Sequence, residues 1–212
     1  MHDVAAWEAF FREALGLPFV LALVSDLDPG TQWSAAEMAL ANAFVSPERR
    51  TIWLHGRSAV KLVLARLGED PDTSGILFPA PRFSLSHCRF TAVVVGLPDG
   101  SPVEGIGVDL ELGRTPPERS TRFFLTDDES KWVSGIESQN VDMTLLRLWT
   151  VKEALFKADP DNAGRVLTNY RLEDPSQEVG RAFVFDNGLE YASLAIPGGM
   201  LSVAVLPSAS LP

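Results

Sequence analysis

The amino-acid sequence predicts an α+β fold, because each half of the chain shows patterns typical of helices followed by patterns typical of strands. The apolar segment 201–206 resembles the segment 91–95, which hints at an internal duplication. With 46% hydrophobic and 22% charged residues, the 212-residue chain has the composition of a folded protein. A chain of this length forms either one large domain or two domains of about 100 residues.

The first half is predicted to contain two helices and a strand between them. Apolar residues recur at helical spacing over 4–15, and Gly16 ends that helix. An apolar run at 19–24 predicts a short strand. Ser46 stands where an N-cap would precede a helix that begins with proline, and the helical pattern continues over 48–67. This second helix carries a group of basic side chains: Arg49, Arg50, Arg57 and Lys61.

The middle of the chain shows strand patterns, and a helical pattern follows them. The apolar, β-branched runs 90–95 and 103–110 flank a turn that contains Gly100, so we expect them to form a hairpin. Thr126 and Glu129 have the spacing of a capping box, and a longer helical pattern follows. That helix is predicted at 141–158, and strands are predicted at 181–185, 191–196 and 200–206.

The charge balance limits the ligands that the protein can attract. A formal net charge of -10 argues against electrostatic binding of nucleic acid, because affinity for a phosphate backbone comes largely from clustered Lys and Arg. It also gives no help in attracting an acidic protein. An anionic ligand must therefore be held by a local basic patch, for which the predicted helix at 48–67 is the densest candidate.

Cysteine usage and the N-terminal residues indicate the compartment. Cys88 is alone, so neither an intrachain disulfide nor a multi-cysteine metal site is possible. Asp3 and Glu8 stand where a signal peptide would need positive charge, and the most apolar run, 15–24, is short and contains Gly16. We expect a cytoplasmic protein with no export signal and no membrane span.

The segment 105–111 is predicted to place two carboxylates on one face of a strand. Alternate residues of a strand share a face, so Asp109 and Glu111 project together, with Gly107 beside them. Oxygen ligands suit Mg²⁺, which is typically held by one or two carboxylates and substrate phosphates, and Gly107 would leave room for a ligand. The alternative is an ordinary solvated strand face.

The predicted helix at 141–158 has two different faces. One face is an apolar stripe, and the opposite face aligns Trp149, Glu153 and Lys157 at four-residue spacing. A solvated helix with a Glu–Lys pair would explain the two charges but would leave the tryptophan unexplained. The stripe consists of Leu148, Val151, Ala154, Leu155 and Ala158.

A third segment, 83–88, precedes an apolar strand. Ser86 and His87 could bind a phosphate oxygen through hydroxyl and imidazole, and Arg82 could add positive charge. A Ser–His or Cys–His nucleophile is disfavoured, because neighbouring residues of an extended segment point to opposite faces. A histidine that caps a turn is a further alternative.

In this order and at these separations, the three segments resemble the phosphopantetheinyl transferases of the surfactin-synthetase-activating type. The resemblance spans roughly residues 46 to 158. The tripeptide Ser-His-Cys is also similar to the corresponding segment of the enterobactin-synthetase subgroup. Phe123, Phe124 and Glu129 resemble a further motif of the family. The matching motifs read Ser86-His87, Gly107-Val108-Asp109-Leu110-Glu111, and Trp149-Thr150-Val151-Lys152-Glu153-Ala154-Leu155-Phe156-Lys157. The Gly-Lys-Pro element that often precedes the Ser-His motif is missing, and Pro79-Ala80-Pro81-Arg82 stands near its place.

The resemblance implies an architecture and a reaction. The fold would be two similar α+β halves with pseudo-twofold symmetry, at 1–104 and 105–212, with coenzyme A in the cleft between them. The protein would move the 4'-phosphopantetheine group of coenzyme A to a serine of an apo acyl or peptidyl carrier protein and release 3',5'-adenosine diphosphate. We expect a monomer that binds neither nucleic acid nor membrane. Another magnesium-dependent phosphate-ester hydrolase and a catalytically silent carrier-binding module remain alternatives.

The resemblance also implies residue roles. Asp109, Glu111 and Glu153 would bind Mg²⁺, and Glu153 would act as the base for the serine hydroxyl, directly or through a metal-bound water. Lys157 would stabilise the phosphates and assist the leaving group. Coenzyme A contacts are expected at Arg49, Arg57, Lys61, Arg82, Ser86, His87, Asp109, Lys152 and Lys157.

Overall fold

Five α-helices lie in the part of the chain that the computed structural model describes, residues 3–208. Their ends follow local signals in the sequence. Gly16 and Gly68 take the left-handed conformation at two C-caps, with φ of 64° and 76°, and Thr126 and Glu129 form the expected capping box. The helices are α1 (Val4–Leu15), α2 (Ala35–Asn42), α3 (Pro47–Leu67), α4 (Asp127–Ser134) and α5 (Ser138–Ala158).

The strands form two antiparallel sheets, which confirms the predicted α+β class. The first sheet has the order β1-β3-β2, and the second has the order β4-β8-β7-β6-β5. Short 3-10 turns lie at Glu118–Phe123 and Leu167–Asn169. The strands are β1 (Val20–Val24), β2 (Phe83–Cys88), β3 (Thr91–Gly96), β4 (Val103–Leu112), β5 (Arg171–Leu172), β6 (Val179–Val184), β7 (Asn187–Ile196) and β8 (Gly199–Pro207).

The predicted hairpin between the third and fourth strands is wrong. β3 pairs with β1 and β2, whereas β4 pairs with β8 in the other sheet. The hairpin is instead β2–β3, whose Cys88 and Thr91 are paired across the two-residue loop Arg89-Phe90. This loop lacks the Gly, Asn or Asp that usually marks a tight hairpin, and Arg89 nevertheless adopts a positive φ of 54°. The sequence therefore gave no turn signal at the true hairpin.

Apolar contacts arrange the helices and sheets in layers. One face of the first sheet packs on α3, through contacts such as those among Val60, Val63 and Val94. Its other face packs against α1 and against the inner face of the second sheet, and these three surfaces form one core. The outer face of the second sheet packs on α5. The order is thus α3, first sheet, second sheet and α5.

The two sheets divide the chain between Gly96 and Val103. They differ in strand number, three against five, and the twofold similarity of the halves stays a prediction. Within residues 3–208, none of the helices combines the length and apolar character that crossing a bilayer requires.

Candidate active site

The predicted division of β4 into two faces is confirmed. Ile106, Val108 and Leu110 are buried in the core between the sheets. The alternate residues face α5, because a Cβ placed on Gly107 would lie 1.9 Å from the Ala154 carbonyl oxygen. The carboxylates of β4 therefore lie on the side of the sheet that α5 covers.

The role expected for Gly107 needs correction. The sequence suggested that this glycine leaves room for a ligand, but the backbone of α5 fills that space. Gly105 behaves in the same way, since a Cβ there would lie 2.1 Å from the Ala158 carbonyl oxygen. The two glycines allow α5 to approach β4 closely, and this approach brings the helix side chains to the strand carboxylates.

Asp109 lies at the centre of this region with 5% of its surface exposed. Its Oδ1 accepts hydrogen bonds from the Ser86 hydroxyl at 2.9 Å and from Lys157 Nζ at 2.7 Å. Its Oδ2 is buried and has no hydrogen-bond partner among the described residues. A buried carboxylate oxygen without a partner is costly, so this atom marks a position where a cation or a donor group would be stabilised.

Glu111 is held by the tryptophan of the predicted helix. Trp149 Nε1 donates a hydrogen bond to Glu111 Oε1 at 3.3 Å, and the Trp149 ring packs edge-on against Phe124. Burial is the main cause that raises the pKa of Glu111, and the nearby Asp109 carboxylate adds to this shift. This contact explains the tryptophan, which a solvated helix would not require.

Glu153 and Lys157 do not form the surface ion pair that their spacing allows. Lys157 is instead paired with Asp109, and its ammonium also donates to the Val108 carbonyl. Glu153 is half-buried, and its side-chain carboxylate makes no hydrogen bond to any described residue. Burial and the Asp109 carboxylate raise the pKa of Glu153, while Lys157 opposes the shift. A carboxylate with a raised pKa is a stronger base than an ordinary one.

His87 and Lys157 line the same cleft, one from each half of the chain. The cleft has a volume of about 400 Å³, and its walls include Ser84, Phe156 and Asn162. His87 lies against α3, where a Cβ on Gly56 would come within 2.6 Å of its Nε2. Protein atoms packed around part of the ring lower the pKa of His87, although the residue keeps an exposed surface. A hydrogen bond with the Ile52 backbone opposes this shift, and Lys157 adds to it.

The expectation that Lys152 contacts coenzyme A is wrong in this structure. Its side chain is completely buried, and its ammonium donates to both oxygens of Glu129 at 2.7 and 2.8 Å and to the Tyr170 carbonyl. Glu129 also accepts from the backbone amides of Thr126 and Leu172. Lys152 therefore fixes α5 to α4 and to the start of β5, and no part of it is available to a ligand.

Ser86 also has a different partner from the phosphate that the sequence suggested. Its hydroxyl donates to Asp109 and accepts from the Leu110 amide at 3.3 Å, and the residue is 5% exposed. The alternation along β2 buries Ser86 and Cys88 and leaves His87 exposed. The hydroxyl is thus directed at the strand β4 and away from the cleft wall that His87 forms.

The basic side chains of the first half differ in availability. Arg57 donates to the carbonyls of Thr73 and Ile76, and Lys61 pairs with buried Glu37 at 2.8 Å. Arg82, which does not line the cleft of His87 and Lys157, pairs with Glu69 and donates to the Leu97 carbonyl. The Arg49 side chain is exposed at the start of α3. Most of these charges already stabilise loops, so Arg49 and His87 have the freest surfaces of the expected anion contacts.

The carboxylates of Asp109, Glu111 and Glu153 offer the oxygen ligands that a hard divalent cation prefers, but they do not form a complete metal site by themselves. Among residues 3–208, no group of three or more potential ligands is gathered closely enough to hold a metal ion. However, Asp109 raises the pKa of both Glu111 and Glu153, so the three carboxylates repel each other, and Asp109 Oδ2 lacks a partner within residues 3–208. A bound cation would reduce the repulsion among the carboxylates and would give Asp109 Oδ2 a partner. Substrate phosphates would supply the remaining ligands.

Two features of this site escaped prediction from the sequence. Gly56 interrupts the helical pattern of α3, and that interruption was the available signal for a close contact with His87. The hydroxyl and thiol contacts from β2 to β4 carried no signal, because a serine or cysteine in a strand does not indicate which backbone amide its side chain will meet.

Together these residues form a candidate site for a phosphorylated substrate, built where β4 and α5 meet the end of β2. Residues 105–195 match the family model of the 4'-phosphopantetheinyl transferase superfamily. This part of the chain is thus similar to the superfamily, and phosphopantetheine transfer is the general activity that the match supports. No curated protein matches the chain significantly.

Proposed function

We propose that the protein is a magnesium-dependent 4'-phosphopantetheinyl transferase with holo-carrier-protein synthase activity. It would transfer 4'-phosphopantetheine from coenzyme A to a serine of an apo acyl or peptidyl carrier protein, with 3',5'-adenosine diphosphate as the leaving group. The observation that carries the proposal is the buried Asp109 Oδ2, which has no partner among the described residues, in a carboxylate that Lys157 contacts; Lys157 also lines a cleft together with His87. A reducing cytoplasm suits the single thiol.

The chain's own residues divide the work of binding. Asp109, Glu111 and Glu153 would hold Mg²⁺, which when bound neutralises charge on the pyrophosphate. His87 would contact a phosphate through its imidazole ring. Arg49 would add positive charge, because Arg57 is already held by backbone carbonyls, and Lys61 and Arg82 by carboxylates.

The proton of the acceptor serine would go to Glu153. A serine hydroxyl is a weak nucleophile, so it needs a base within hydrogen-bond reach. The Glu153 side chain is half-buried, and its carboxylate makes no hydrogen bond to the described residues. Lys157 would stabilise the charge that develops on the departing phosphate, close to its position beside Asp109.

The test is single-turnover transfer to an apo-carrier protein, followed by intact mass. Glu153→Gln keeps the shape of the side chain and should slow transfer by about 100- to 10,000-fold, the usual effect of losing a general base. Lys157→Ala should slow it by about 100- to 1,000-fold. The matched control is Asp142→Asn, an exposed carboxylate on the same helix, which should transfer at the parental rate. Thermal melts show whether each variant is folded.

The same assay separates the alternatives. Cleavage of coenzyme A without labelling of the carrier would indicate a phosphate-ester hydrolase. Binding of the carrier without cleavage would indicate a silent binding module. Undiminished transfer in excess chelator would contradict the requirement for Mg²⁺.

A further inference from the structure

The strand β2 contacts β4 through side chains at a regular spacing. Ser84 Oγ accepts from the Val108 amide at 3.0 Å, Ser86 Oγ from the Leu110 amide at 3.3 Å, and Cys88 Sγ from the Leu112 amide at 3.2 Å. These amides point away from β8, so side chains of the first sheet take the place of a neighbouring strand. These hydrogen bonds set the register between β2 and β4, and therefore the position of one half of the chain relative to the other.

The same side chains reach the carboxylates of β4. Ser86 donates to Asp109 Oδ1 at 2.9 Å, and Cys88 Sγ lies 4.0 Å from Glu111 Oε2. Ser84 occupies the equivalent place opposite Gly107, which has no side chain. Ser86 is thus the one residue of this ladder within residues 3–208 that makes a short hydrogen bond to a candidate metal ligand.

The hydrogen bonds of Asp109 determine which oxygen is left for a ligand. Oδ1 is held from the first half by Ser86 and from the second half by Lys157. With Oδ1 fixed on both sides, rotation of the carboxylate is restricted, and Oδ2 stays buried without a partner in the described part of the chain. Without Ser86, Lys157 alone would hold the group, and a single ammonium contact allows the carboxylate to turn.

We infer that Ser86 is a positioning residue, which orients Asp109 so that Oδ2 is presented to a divalent cation. This inference rests on the proposed function, because it assumes that Asp109 binds the cation. Ser86 does not touch coenzyme A in this role, in contrast to the phosphate contact that the sequence suggested. The register of the two halves and the orientation of the metal ligand are then set by the same hydroxyl.

Binding of Mn²⁺, a probe for oxygen-rich cation sites, tests the inference without measuring transfer. Electron paramagnetic resonance of free Mn²⁺ would be recorded during titration of each variant in the presence of coenzyme A. Ser86→Ala should weaken Mn²⁺ binding by about 10- to 100-fold, as is typical when a hydrogen-bond partner of a metal ligand is removed. Ser84→Ala is the matched control, since it loses the same kind of ladder bond but no contact to a carboxylate.

Two conservative variants separate orientation from the ladder bond. Ser86→Thr retains the hydroxyl and should retain Mn²⁺ affinity. Ser86→Cys can still accept the Leu110 amide, as Cys88 does with Leu112, but a thiol is a weak donor to Asp109. Its Mn²⁺ affinity should therefore fall as it does in Ser86→Ala, while its melting temperature stays nearer the parent's.

The outcomes distinguish this inference from the proposed function. Asp109→Asn should lose Mn²⁺ binding, and if it does not, the proposed metal site fails and the role of Ser86 fails with it. If Asp109→Asn weakens binding while Ser86→Ala matches the parent, only the positioning role is overturned. Equal losses in Ser84→Ala and Ser86→Ala would show that the ladder as a whole matters, which also overturns the specific role of Ser86.

Discussion

At the scale of single residues, adjacent positions of one motif perform different tasks. Lys152 and Glu153 are neighbours on α5, yet Lys152 has no exposed surface and Glu153 is half-buried at the candidate site. A helix turns by about 100° per residue, so consecutive side chains face different surroundings. The motif combines an internal ion pair, Lys152 with Glu129, and a group available for chemistry, Glu153.

Replacement of Lys152 should affect stability. Lys152→Met removes the ammonium and leaves the Glu129 carboxylate buried with only amide donors, which should lower the free energy of unfolding by about 3 to 5 kcal/mol. The control is Lys131→Met, which removes an exposed pair with Asp128 and should change it by at most about 1 kcal/mol. Urea unfolding followed by circular dichroism measures both. Equal stability of the two variants would contradict a structural role for Lys152.

At the scale of elements, helices were predicted more accurately than strand partners. Local signals lie within a few residues of the ends of α1 and α3 and of the start of α4, so the local sequence was sufficient to predict these boundaries. The pairing of β4 with β8 joins residues about 90 positions apart along the chain, and alternation of side chains carries no information about the partner strand. The helical periodicity of α5 likewise predicted which of its side chains share a face. It carried no information about Glu129 and the Tyr170 carbonyl, the partners that bury Lys152, because they lie outside the helix.

The close contact between β4 and α5 gives a second prediction. In Gly107→Ala the added Cβ would lie 1.9 Å from the Ala154 carbonyl oxygen, so the helix must move away from the strand. We expect a loss of about 1 to 3 kcal/mol in the free energy of unfolding, the usual cost of overpacking. Because Glu153 and Lys157 move with the helix, transfer should also fall.

Gly75→Ala is the control for this substitution. A Cβ at Gly75 meets no atom of residues 3–208 within 4 Å, and its backbone φ is outside the positive range. Stability and transfer should both stay near the parental values, because no packing changes. A Gly107→Ala variant that is as stable and active as Gly75→Ala would show that α5 can shift without consequence, which the geometry does not allow.

At the scale of the whole molecule, the two sheets share one core. Phe11, Leu21 and Val95 from the first half are buried together with Val108 and Leu201 from the second. The side-chain ladder from β2 supplies further contacts between the sheets. The candidate site needs both halves, because Ser86 and His87 come from one and the carboxylates come from the other. The division at residue 104 therefore describes sequence and topology, and independent folding of each part is not expected.

Expression of residues 105–212 alone tests this expectation. Without the first half, the inner face of β4, β8 and β7 would expose Ile106, Val108, Leu201, Val203 and Val205, all of which are nearly inaccessible in the full chain. An apolar patch of this kind favours aggregation or loose packing. We expect the fragment to bind a hydrophobic dye and to unfold without a cooperative transition, because burial of these side chains supplies much of the stabilisation. Co-expression with residues 1–104 should restore a cooperative melt and, with it, Mn²⁺ binding that depends on Asp109. A cooperative transition of the isolated fragment, with native-like dispersion in its nuclear magnetic resonance spectrum, would instead show that the second half is an independent domain and that the shared core is dispensable.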